Sequence, residues 1–439
     1  MDCQGYSRRQ VLALAGAAGV AGCNAVGRFA TPTTRPLTEQ YDLTVSHGSP
    51  APDSEWMAPT DAPPALGAEV LVANLEIPWD LSVTADGMTF VTERVGRLRA
   101  FDGDGTRVIA EPSDAIDAEA IEPGEDHDSW WVKGGEGGTL GVAAHPRYPD
   151  PPVVYVYYTA ETDAGKRNRV VALDVSAEEP AETETVVVGD IPADGIHNGG
   201  RIAFGPEHYL WVTCGDAGEA RTAQDPSTLS GTVLKLTPTG QPAPDNPDHG
   251  GDPRVHTYGH RNPQGIVWLP DGTTVVTEHG PDGRDELNRL EAGANYGWPD
   301  VRDRDAYLDA PEIHPPLANS GPRPSWAPTG AAFYTGSDVP GLTNRLLVGG
   351  LGSQRVLVAT LTPPGETRPP VENGTRHDSD YTDDAYTVTM HPLLENELGR
   401  IRHLEQGPDG ALYAITSNRD GRADGPFPKD GDDVLVRLG

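Results

Sequence analysis

The sequence predicts an all-β fold, a six-bladed β-propeller, because one turn-and-strand pattern recurs along the chain. In this pattern a turn with Asp-Gly or a polar substitute precedes a short β-rich run, with turn positions at Asp86, Glu207, Asp271 and Asp409. The gaps of 121, 64 and 138 residues imply two further copies near residues 146 and 340, where turn residues again precede apolar runs. Six units of about 65 residues result, and such repeats are typical of propellers with one four-stranded sheet per repeat.

The composition also favours an all-β fold. The chain contains 52 Gly and 42 Pro, spread along its length, and these residues favour turns over long helices. The period is longer than the roughly 40 to 45 residues of WD40 units, which implies long loops. In a propeller such loops gather at the rim of the central channel, so a ligand site is expected there.

The chain is strongly acidic, since 66 Asp and Glu against 33 Lys and Arg give a formal net charge of −33. This charge argues against nucleic acid and anionic lipid as partners, because phosphate contacts need clustered Lys and Arg. With 36% hydrophobic residues and eight Trp, the chain is too apolar to be disordered. Only four of the basic residues are lysines. We interpret the acidic, lysine-poor surface as a halophilic adaptation to high salt, with an ordinary acidic secreted protein as the alternative.

Residues 1–23 are expected to be an export signal with a lipobox-like end. Arg8 and Arg9 precede a short apolar run, as in twin-arginine signals, and that run is shorter than the roughly 20 residues that span a bilayer. It ends in Val-Ala-Gly-Cys, which resembles a lipobox in which Cys23 carries lipid; a plain signal with an incidental Cys is the alternative. The protein is therefore expected on the extracellular face of the membrane, held by a lipid anchor.

Two further parts follow the signal. Residues 24–61 are rich in Thr, Pro and Ser and are expected to form a flexible tether. Residues 62–439 are expected to form the propeller. Cys214 is the one Cys in this body, which excludes an internal disulfide and suggests a small buried hydrophobe.

Five loops between the repeats carry the residues best suited to chemistry. The first is Gly-rich and contains Glu136, and the second places His197 before two glycines. Glycines permit close backbone approach to a flat ligand, although a tight turn with a solvated Glu136 fits the same pattern. The third loop contains Arg261 and Asn262 within Gly-His-Arg-Asn-Pro-Gln-Gly.

The remaining two loops suggest a cation site and an anion site. Residues 278–286 combine carboxylates with Gly and Pro, an oxygen-rich set that suits Ca²⁺, although an acidic loop on an acidic protein fits equally. Arg400 and Arg402 lie at i and i+2. On a strand they would project to the same side and form a fork for carboxylates.

Together these motifs resemble a known family, the soluble pyrroloquinoline quinone (PQQ) dependent aldose sugar dehydrogenases, which are six-bladed propellers also called glucose/sorbosone dehydrogenases. The resemblance begins near Asn74 and extends to the C-terminus. It rests on Gly-Glu-Gly-Gly, His-Asn-Gly-Gly-Arg, Gly-His-Arg-Asn-Pro-Gln-Gly, Glu-His-Gly-Pro, Asp-Glu-Leu-Asn and Asn-Tyr-Gly-Trp-Pro, in the order of the family. The motifs are specific as a set, whereas no single one would suffice.

The resemblance implies a role for each matching position. His197 matches the general base that takes the proton of the sugar hydroxyl while hydride passes from the anomeric carbon to the quinone. Carbonyls of Gly280 and Pro281 match ligands of the Ca²⁺ that binds PQQ, and Glu286 and Tyr296 match ligands of a structural Ca²⁺. Cofactor contacts are implied for Glu136, Arg261, Asn262, Arg400 and Arg402. These assignments suit a flat tricarboxylate, which needs arginines and a metal.

The sequence departs from the family pattern at three positions. Glu136 replaces a Gln near the catalytic His, and Ile196 replaces an Asp just before it. Loss of that Asp is expected to weaken the orientation of His197. The cofactor-binding Lys of the family falls near Gly352, and Gln354 or Arg355 is expected to substitute for it.

The function implied by the resemblance is oxidation of aldose sugars to lactones by an exported quinoprotein that passes electrons to an external acceptor. Two alternatives stay open. One is a non-catalytic, Ca²⁺-stabilised propeller that binds glycans or proteins. The other is a Ca²⁺-dependent lactonase-type hydrolase, in which Arg400 and Arg402 would have no role.

Overall fold

The repeat of the sequence corresponds to six antiparallel sheets in the computed structural model, which describes residues 35–47, 56–120, 135–163 and 165–439. Each turn predicted from the repeat connects the first strand of a sheet to its second strand. Neighbouring sheets pack through their inner strands around a central channel. The prediction of a six-bladed β-propeller is therefore confirmed, including the two copies inferred near residues 146 and 340.

The first strand of the chain, β1 (Ala68–Val72), belongs to the last blade. Blades I to III then follow in chain order, each with four strands. Blade I contains β2 (Pro78–Val83), β3 (Thr89–Glu93), β4 (Arg97–Phe101) and β5 (Thr106–Ala110). Blade II contains β6 (Thr139–Ala144), β7 (Val153–Thr162), β8 (Gly165–Asp174) and β9 (Thr185–Pro192). Blade III contains β10 (Ile202–Phe204), β11 (Leu210–Cys214), β12 (Thr232–Leu236) and β13 (Val255–Tyr258).

Blades IV to VI complete the ring. Blade IV contains β14 (Pro263–Trp268), β15 (Thr274–Glu278), β16 (Glu286–Arg289) and β17 (Ala318–Asn319). Blade V has five strands, β18 (Pro328–Tyr334), β19 (Arg345–Gly350), β20 (Arg355–Thr362), β21 (Thr375–His377) and β22 (Thr387–Leu393), in the order β18-β19-β20-β22-β21. Blade VI contains β23 (Ile401–Gln406), β24 (Leu412–Thr416) and β25 (Leu435–Leu438), with β1 outermost.

Strand β1 closes the ring by pairing with the C-terminal strand β25. The two strands are antiparallel, with Val70 opposite Val436, and the Gly67 N–H donates to the carbonyl of Gly439 at 2.7 Å. The last blade is thus built from both ends of the propeller domain. Closure of this kind leaves no free edge between the first and last blades.

Helices are short in the described part of the chain. They are α1 (Leu37–Gln40) and α2 (Arg304–Asp309), with single 3₁₀ turns at Pro180–Thr183 and Ala220–Gln224. No helix among the described residues has the length and apolar content needed to cross a membrane. Cys214 is buried and free, and burial raises the pKa of its thiol to about 12, as expected for a core residue.

The segment before β1 packs on the propeller wherever it is described. Leu37 is fully buried and Leu43 is 4% exposed, both in the core that blades II and III share. The Trp56 indole N–H donates to Asp271 Oδ2 at 3.1 Å, and Asp61 Oδ1 lies 2.9 Å from Arg345. Residues 35–47 and 56–61 therefore differ from the flexible tether expected over 24–61, because Leu37 and Leu43 are buried and Trp56 and Asp61 are held by contacts with the propeller. Residues 1–34, with the expected signal and Cys23, lie outside the described residues.

Packing of this segment predicts a stability effect away from the active site. Replacing Leu37→Ala should lower the free energy of unfolding by about 2 to 4 kcal/mol, the usual cost of a core Leu→Ala change. Urea unfolding would measure it. Leu308→Ala is the matched control, because Leu308 is 44% exposed and should change stability by less than about 0.5 kcal/mol. Equal effects at the two positions would contradict a packed segment.

Candidate active site

One end of the central channel gathers most of the predicted site residues. It is the end at which the innermost strands begin, and a narrow cleft there is lined by Glu136, Arg400, Arg402 and His279. The predicted base His197 lies beside this cleft, because its backbone N–H donates to Glu136 Oε2 at 2.7 Å. Loops that are distant in the chain therefore meet at the channel, as the repeat predicted.

His197 is fixed through both its backbone and its ring. Its φ is +53°, a left-handed conformation that is unfavourable for a residue with a Cβ. Its ring Nδ1 lies 2.7 Å from Asp216 Oδ1. The Asp216 carboxylate also accepts the Trp298 indole N–H and the Gly218 N–H, each at 2.8 Å. Because an ionised carboxylate can only accept, Nδ1 carries the proton and Nε2 is left as the basic nitrogen.

Gly215 allows His197 and Asp216 to lie this close. A Cβ at Gly215 would stand 1.9 Å from the His197 carbonyl oxygen, so a larger residue would push the histidine loop away. The same carbonyl accepts the N–H of Ala217 at 3.1 Å. Strand β11 ends at Cys214, two residues before Asp216, and its end therefore brings this carboxylate to the histidine.

The two arginines of blade VI share one buried carboxylate. Arg400 donates to Asp420 Oδ2 at 2.8 Å, and Arg402 lies 3.5 Å from the same oxygen. Burial opposes ionisation of Asp420, but the charges of Arg400 and Arg402 outweigh it and hold the pKa of Asp420 below its ordinary value. Burial lowers the pKa of Arg402, and the Asp420 charge opposes that effect. With two guanidinium groups facing one carboxylate, a bound anion would complete the charge balance.

Arg261 and Asn262 lie at the start of blade IV, next to His279. Arg261 Nη1 donates to the His279 carbonyl at 3.0 Å, and its guanidinium lies 5.3 Å from the centroid of the Trp298 ring. Asn262 Oδ1 accepts the N–H of Gly199 at 3.0 Å. This contact ties blade IV to the glycine pair that follows His197.

Unused buried donors make the site suitable for a polycarboxylate such as PQQ. Four buried side-chain nitrogens here lack a hydrogen-bond partner among the described residues: Arg261 Nε, Asn262 Nδ2, His279 Nε2 and Arg402 Nε. Burial, with the nearby Arg402 charge, lowers the pKa of His279 well below its ordinary value, so its ring is neutral. Buried polar groups are normally paired in folded proteins. The donor set therefore fits a polar, anionic ligand with several acceptor oxygens.

The four predicted metal residues, which the resemblance divides between two Ca²⁺ ions, lie together at one place. Gly280, Pro281, Glu286 and Tyr296 line a single cavity of about 20 Å³, which has room for one ion or water molecule. Hydrogen bonds from described residues leave the carbonyl oxygens of Gly280 and Pro281 unused. Such carbonyls are suitable ligands for Ca²⁺.

Glu286 is one of two carboxylates that line this cavity, and Glu278 is the other. Glu286 accepts hydrogen bonds from Tyr307 at 2.8 Å, Asn319 at 3.0 Å and Asn288 at 3.2 Å. Burial and the charge of Glu278 raise the pKa of Glu286 to about 8, and a cation would offset both effects.

A metal here would depend on backbone oxygens. The Tyr296 hydroxyl already donates to the Arg289 carbonyl at 2.7 Å and accepts the Glu291 N–H at 3.0 Å. The backbone carbonyl of Tyr296 is therefore the oxygen of this residue that could bind a metal. The part of the chain that the structure describes has no cluster of three or more His, Cys, Asp or Glu arranged for a metal. A Ca²⁺ would therefore combine the carboxylates of Glu278 and Glu286 with carbonyls and water.

Sequence reasoning missed four charged residues of the site: Asp216, Asp420, Arg94 and Arg422. Asp216 supplies the carboxylate contact whose loss was expected from Ile196, so the ring of His197 is oriented after all. Arg94 and Arg422 line the same cleft. Arg94 follows Thr-Glu at the end of β3 as His279 follows Thr-Glu at the end of β15, so the repeat register could have identified it.

The residues expected to replace the family lysine lie elsewhere. Gln354 donates to the Asp424 carbonyl at 3.3 Å, and Arg355 is 3.0 Å from Glu395. Neither of them lines the cleft, whereas Leu351 does. Arg94 and Arg422 provide the positive charge in their place.

Known proteins share both the sequence pattern and the fold of this chain. A family model described as glucose/sorbosone dehydrogenase matches residues 75–425. The aldose sugar dehydrogenase of Escherichia coli is 29% identical over 378 residues, which cover 82% of this chain and 92% of that relative. Quinoprotein glucose dehydrogenase B of Acinetobacter calcoaceticus is 28% identical over 264 residues, 53% of this chain and 52% of that relative.

A solved structure extends this similarity to three dimensions. The PQQ-bound form of the aldose sugar dehydrogenase of Streptomyces coelicolor matches with a TM-score of 0.66 at 30% identity. The match covers 86% of this chain and 99% of that one. The likeness therefore includes nearly the whole of that enzyme.

Proposed function

The chain belongs to the glucose/sorbosone dehydrogenase family, and from this we propose that it oxidises aldose sugars at the anomeric carbon with PQQ and Ca²⁺. The observation that carries the proposal is the His197–Asp216 pair beside a cleft lined by His279 and Arg402, two of the four residues here with unpartnered buried nitrogens. A base oriented by a carboxylate suits removal of a hydroxyl proton. The donors suit a cofactor with several carboxylates.

The residues of the cleft and its loops would hold the cofactor. Bound PQQ would supply the two-electron acceptor for the hydride of the anomeric carbon, with Ca²⁺ as a Lewis acid beside it. Carbonyls of Gly280 and Pro281 would ligate that Ca²⁺. The side chains that would bind PQQ are Arg261, Asn262, Arg400 and Arg402.

His197 is the base of the proposed reaction. Its Nε2 accepts the proton of the anomeric hydroxyl, and Asp216 stabilises the imidazolium that results. When C1 has also lost its hydride, its bond to the former hydroxyl oxygen becomes the carbonyl of a lactone. An external acceptor would take up the two electrons, and loss of the proton from His197 Nε2 to solvent would regenerate the base.

Reconstitution tests this proposal directly. Purified full-length protein would be loaded with PQQ and Ca²⁺, and reduction of an artificial electron-acceptor dye would be followed with a panel of aldoses. We expect turnover with at least one aldose and a lactone as product. PQQ binding without turnover would favour the glycan- or protein-binding propeller, and lactone hydrolysis without PQQ would favour the hydrolase.

The proposed Ca²⁺ at Glu286 predicts a metal-dependent melting temperature. A chelator should lower the melting temperature by about 3 to 5 °C, because a ligand bound only to the folded state stabilises it. Added Ca²⁺ should restore it, and Mg²⁺ should not, since Mg²⁺ demands a small octahedral site. Glu286→Gln should abolish the response, whereas Glu182→Ala, at an exposed position, should keep it. A melting temperature insensitive to chelator in the parent protein would exclude this metal.

We also propose that the protein is exported by a twin-arginine signal and anchored at Cys23. Residues 1–34 carry this assignment through their sequence alone. Expression with a Cys23→Ser substitution tests it. The substituted protein should leave the membrane fraction while the parent protein stays there, and identical distributions would contradict the anchor.

A further inference from the structure

Each oxygen of the Glu136 carboxylate has a partner within the protein. Its Oε2 accepts the His197 backbone N–H at 2.7 Å, and its Oε1 lies 3.3 Å from Arg422 Nη1. The sequence assigned Glu136 to the cofactor. An ionised carboxylate, however, has no N–H or O–H to donate to a tricarboxylate, and its charge would repel it. Glu136 therefore needs another role.

The loop around Glu136 is built to hold this carboxylate in place. The Glu136 N–H donates to the Gly195 carbonyl at 2.8 Å. Gly135 has a φ of +66°, and a Cβ there would stand 2.2 Å from the same carbonyl oxygen. Arg94 of blade I donates to the carbonyls of Gly135 and Gly137. The two loops thus touch through backbone, and the Glu136 side chain reaches His197 from a fixed position.

Arg422 connects this contact to blade VI. Its N–H donates to Asp420 Oδ1 at 3.1 Å, and its carbonyl accepts from Arg400 at 3.2 Å. The side chains of Glu136 and Arg422 are 16% and 22% exposed, so the pair is largely shielded from water. The charge of Arg422 therefore offsets the cost of placing a carboxylate next to an anion-binding cleft.

We propose that Glu136 is a positioning residue, which holds His197 in its left-handed backbone conformation and uses Arg422 as its charge partner. The inference rests on the proposed function, because the role of His197 as base is part of it. Glu136 accepts the one backbone N–H of His197, and Asp216 separately fixes the ring. Glu136, which precedes His197 in the chain, thus holds its backbone, and Asp216, which follows it, holds its ring.

Three variants of the full-length protein test the inference: Glu136→Ala, Glu136→Gln and the double variant Glu136→Gln/Arg422→Gln. Hydrogen exchange of residues 195–200 in the protein without cofactor, measured by mass spectrometry, reports the backbone contact. We expect at least about tenfold faster exchange for Glu136→Ala. Glu136→Gln keeps an acceptor oxygen and should exchange more slowly than Glu136→Ala.

Kinetics of the loaded enzyme give the second readout. Glu136→Ala should lower kcat on the order of 100-fold, the effect of a small misplacement of a catalytic group, while the Kd for PQQ changes less than about threefold. Glu136→Gln should lose less activity than Glu136→Ala. The double variant also removes a guanidinium that lines the cleft, so it should bind PQQ more weakly than Glu136→Gln while residues 195–200 exchange at the same rate in both.

The outcomes separate this inference from the proposed function. Unchanged exchange in Glu136→Ala together with a PQQ Kd more than tenfold weaker would overturn the inference and restore a cofactor role for Glu136. A parent protein that neither binds PQQ nor turns over sugar would overturn the proposed function. The exchange measurement would still report whether Glu136 holds His197.

Discussion

Replacing His197→Asn is expected to lower turnover of the PQQ-loaded enzyme by about 10² to 10⁴-fold, the usual contribution of a general base. Asn is chosen because it tolerates the left-handed backbone better than most residues, so the loop should keep its shape despite the φ of +53° at this position. PQQ binding should change little, since the four unpartnered buried nitrogens belong to other residues. Stopped-flow kinetics and a fluorescence titration would measure the two effects.

A rescue experiment sharpens this expectation. His197→Gly also permits the left-handed backbone and leaves the space of the imidazole open. Added imidazole should then restore part of the turnover, and an equal concentration of a non-basic azole should not. If His197→Asn keeps more than a tenth of the parent activity, the base must be another group.

The fold could be predicted because the same turn-and-strand pattern recurs in the sequence at a nearly constant spacing. Turns near residues 146 and 340 were located by spacing alone, and both connect the first and second strands of their blades. Six similar units leave few alternatives to a closed ring. The packing of residues 35–47 and 56–61 was not predicted, because their content of Pro and Thr suggested a flexible tether. The apolar residues Leu37, Leu43 and Trp56 could have indicated burial.

The site was predictable only where one loop carried its own motif. His197, Arg261 and Arg402 each belong to such a motif, and the structure brings them to one end of the channel. Contacts between loops carry no such local signal: Asp216 lies 19 residues from His197, and Arg422 lies 286 residues from Glu136. These pairings depend on how the blades close, which a single sequence does not show.

The acidic composition describes the outside of the molecule better than its site. With a formal net charge of −33, carboxylates dominate the surface, yet the cleft is lined by Arg94, Arg400, Arg402 and Arg422 against Glu136 and Asp420. Excess positive charge in the cleft would attract an anionic cofactor to a molecule whose net charge is negative. The local charge of the site is therefore opposite to that of the whole chain.

Asp216→Asn is expected to lower kcat by at least about 100-fold, because it alters which nitrogen of His197 carries the proton. In the parent protein the Asp216 carboxylate accepts from Nδ1 at 2.7 Å and leaves Nε2 basic. Trp298 and Gly218 donate to the same carboxylate. The new amide can turn its NH₂ toward Nδ1, which would move the proton to Nε2 and remove the base.

Comparison with Asp216→Ala distinguishes this effect from simple loss of packing. Alanine removes the partner but leaves His197 free to adopt either tautomer, so Asp216→Ala should retain more kcat than Asp216→Asn. A purely structural role predicts the reverse order, because Asn keeps the shape of Asp. The Kd for PQQ should stay within about threefold of the parent value in both variants. If Asp216→Asn is the more active of the two, Asp216 acts by supporting the loop, and the tautomer of His197 is set by another contact.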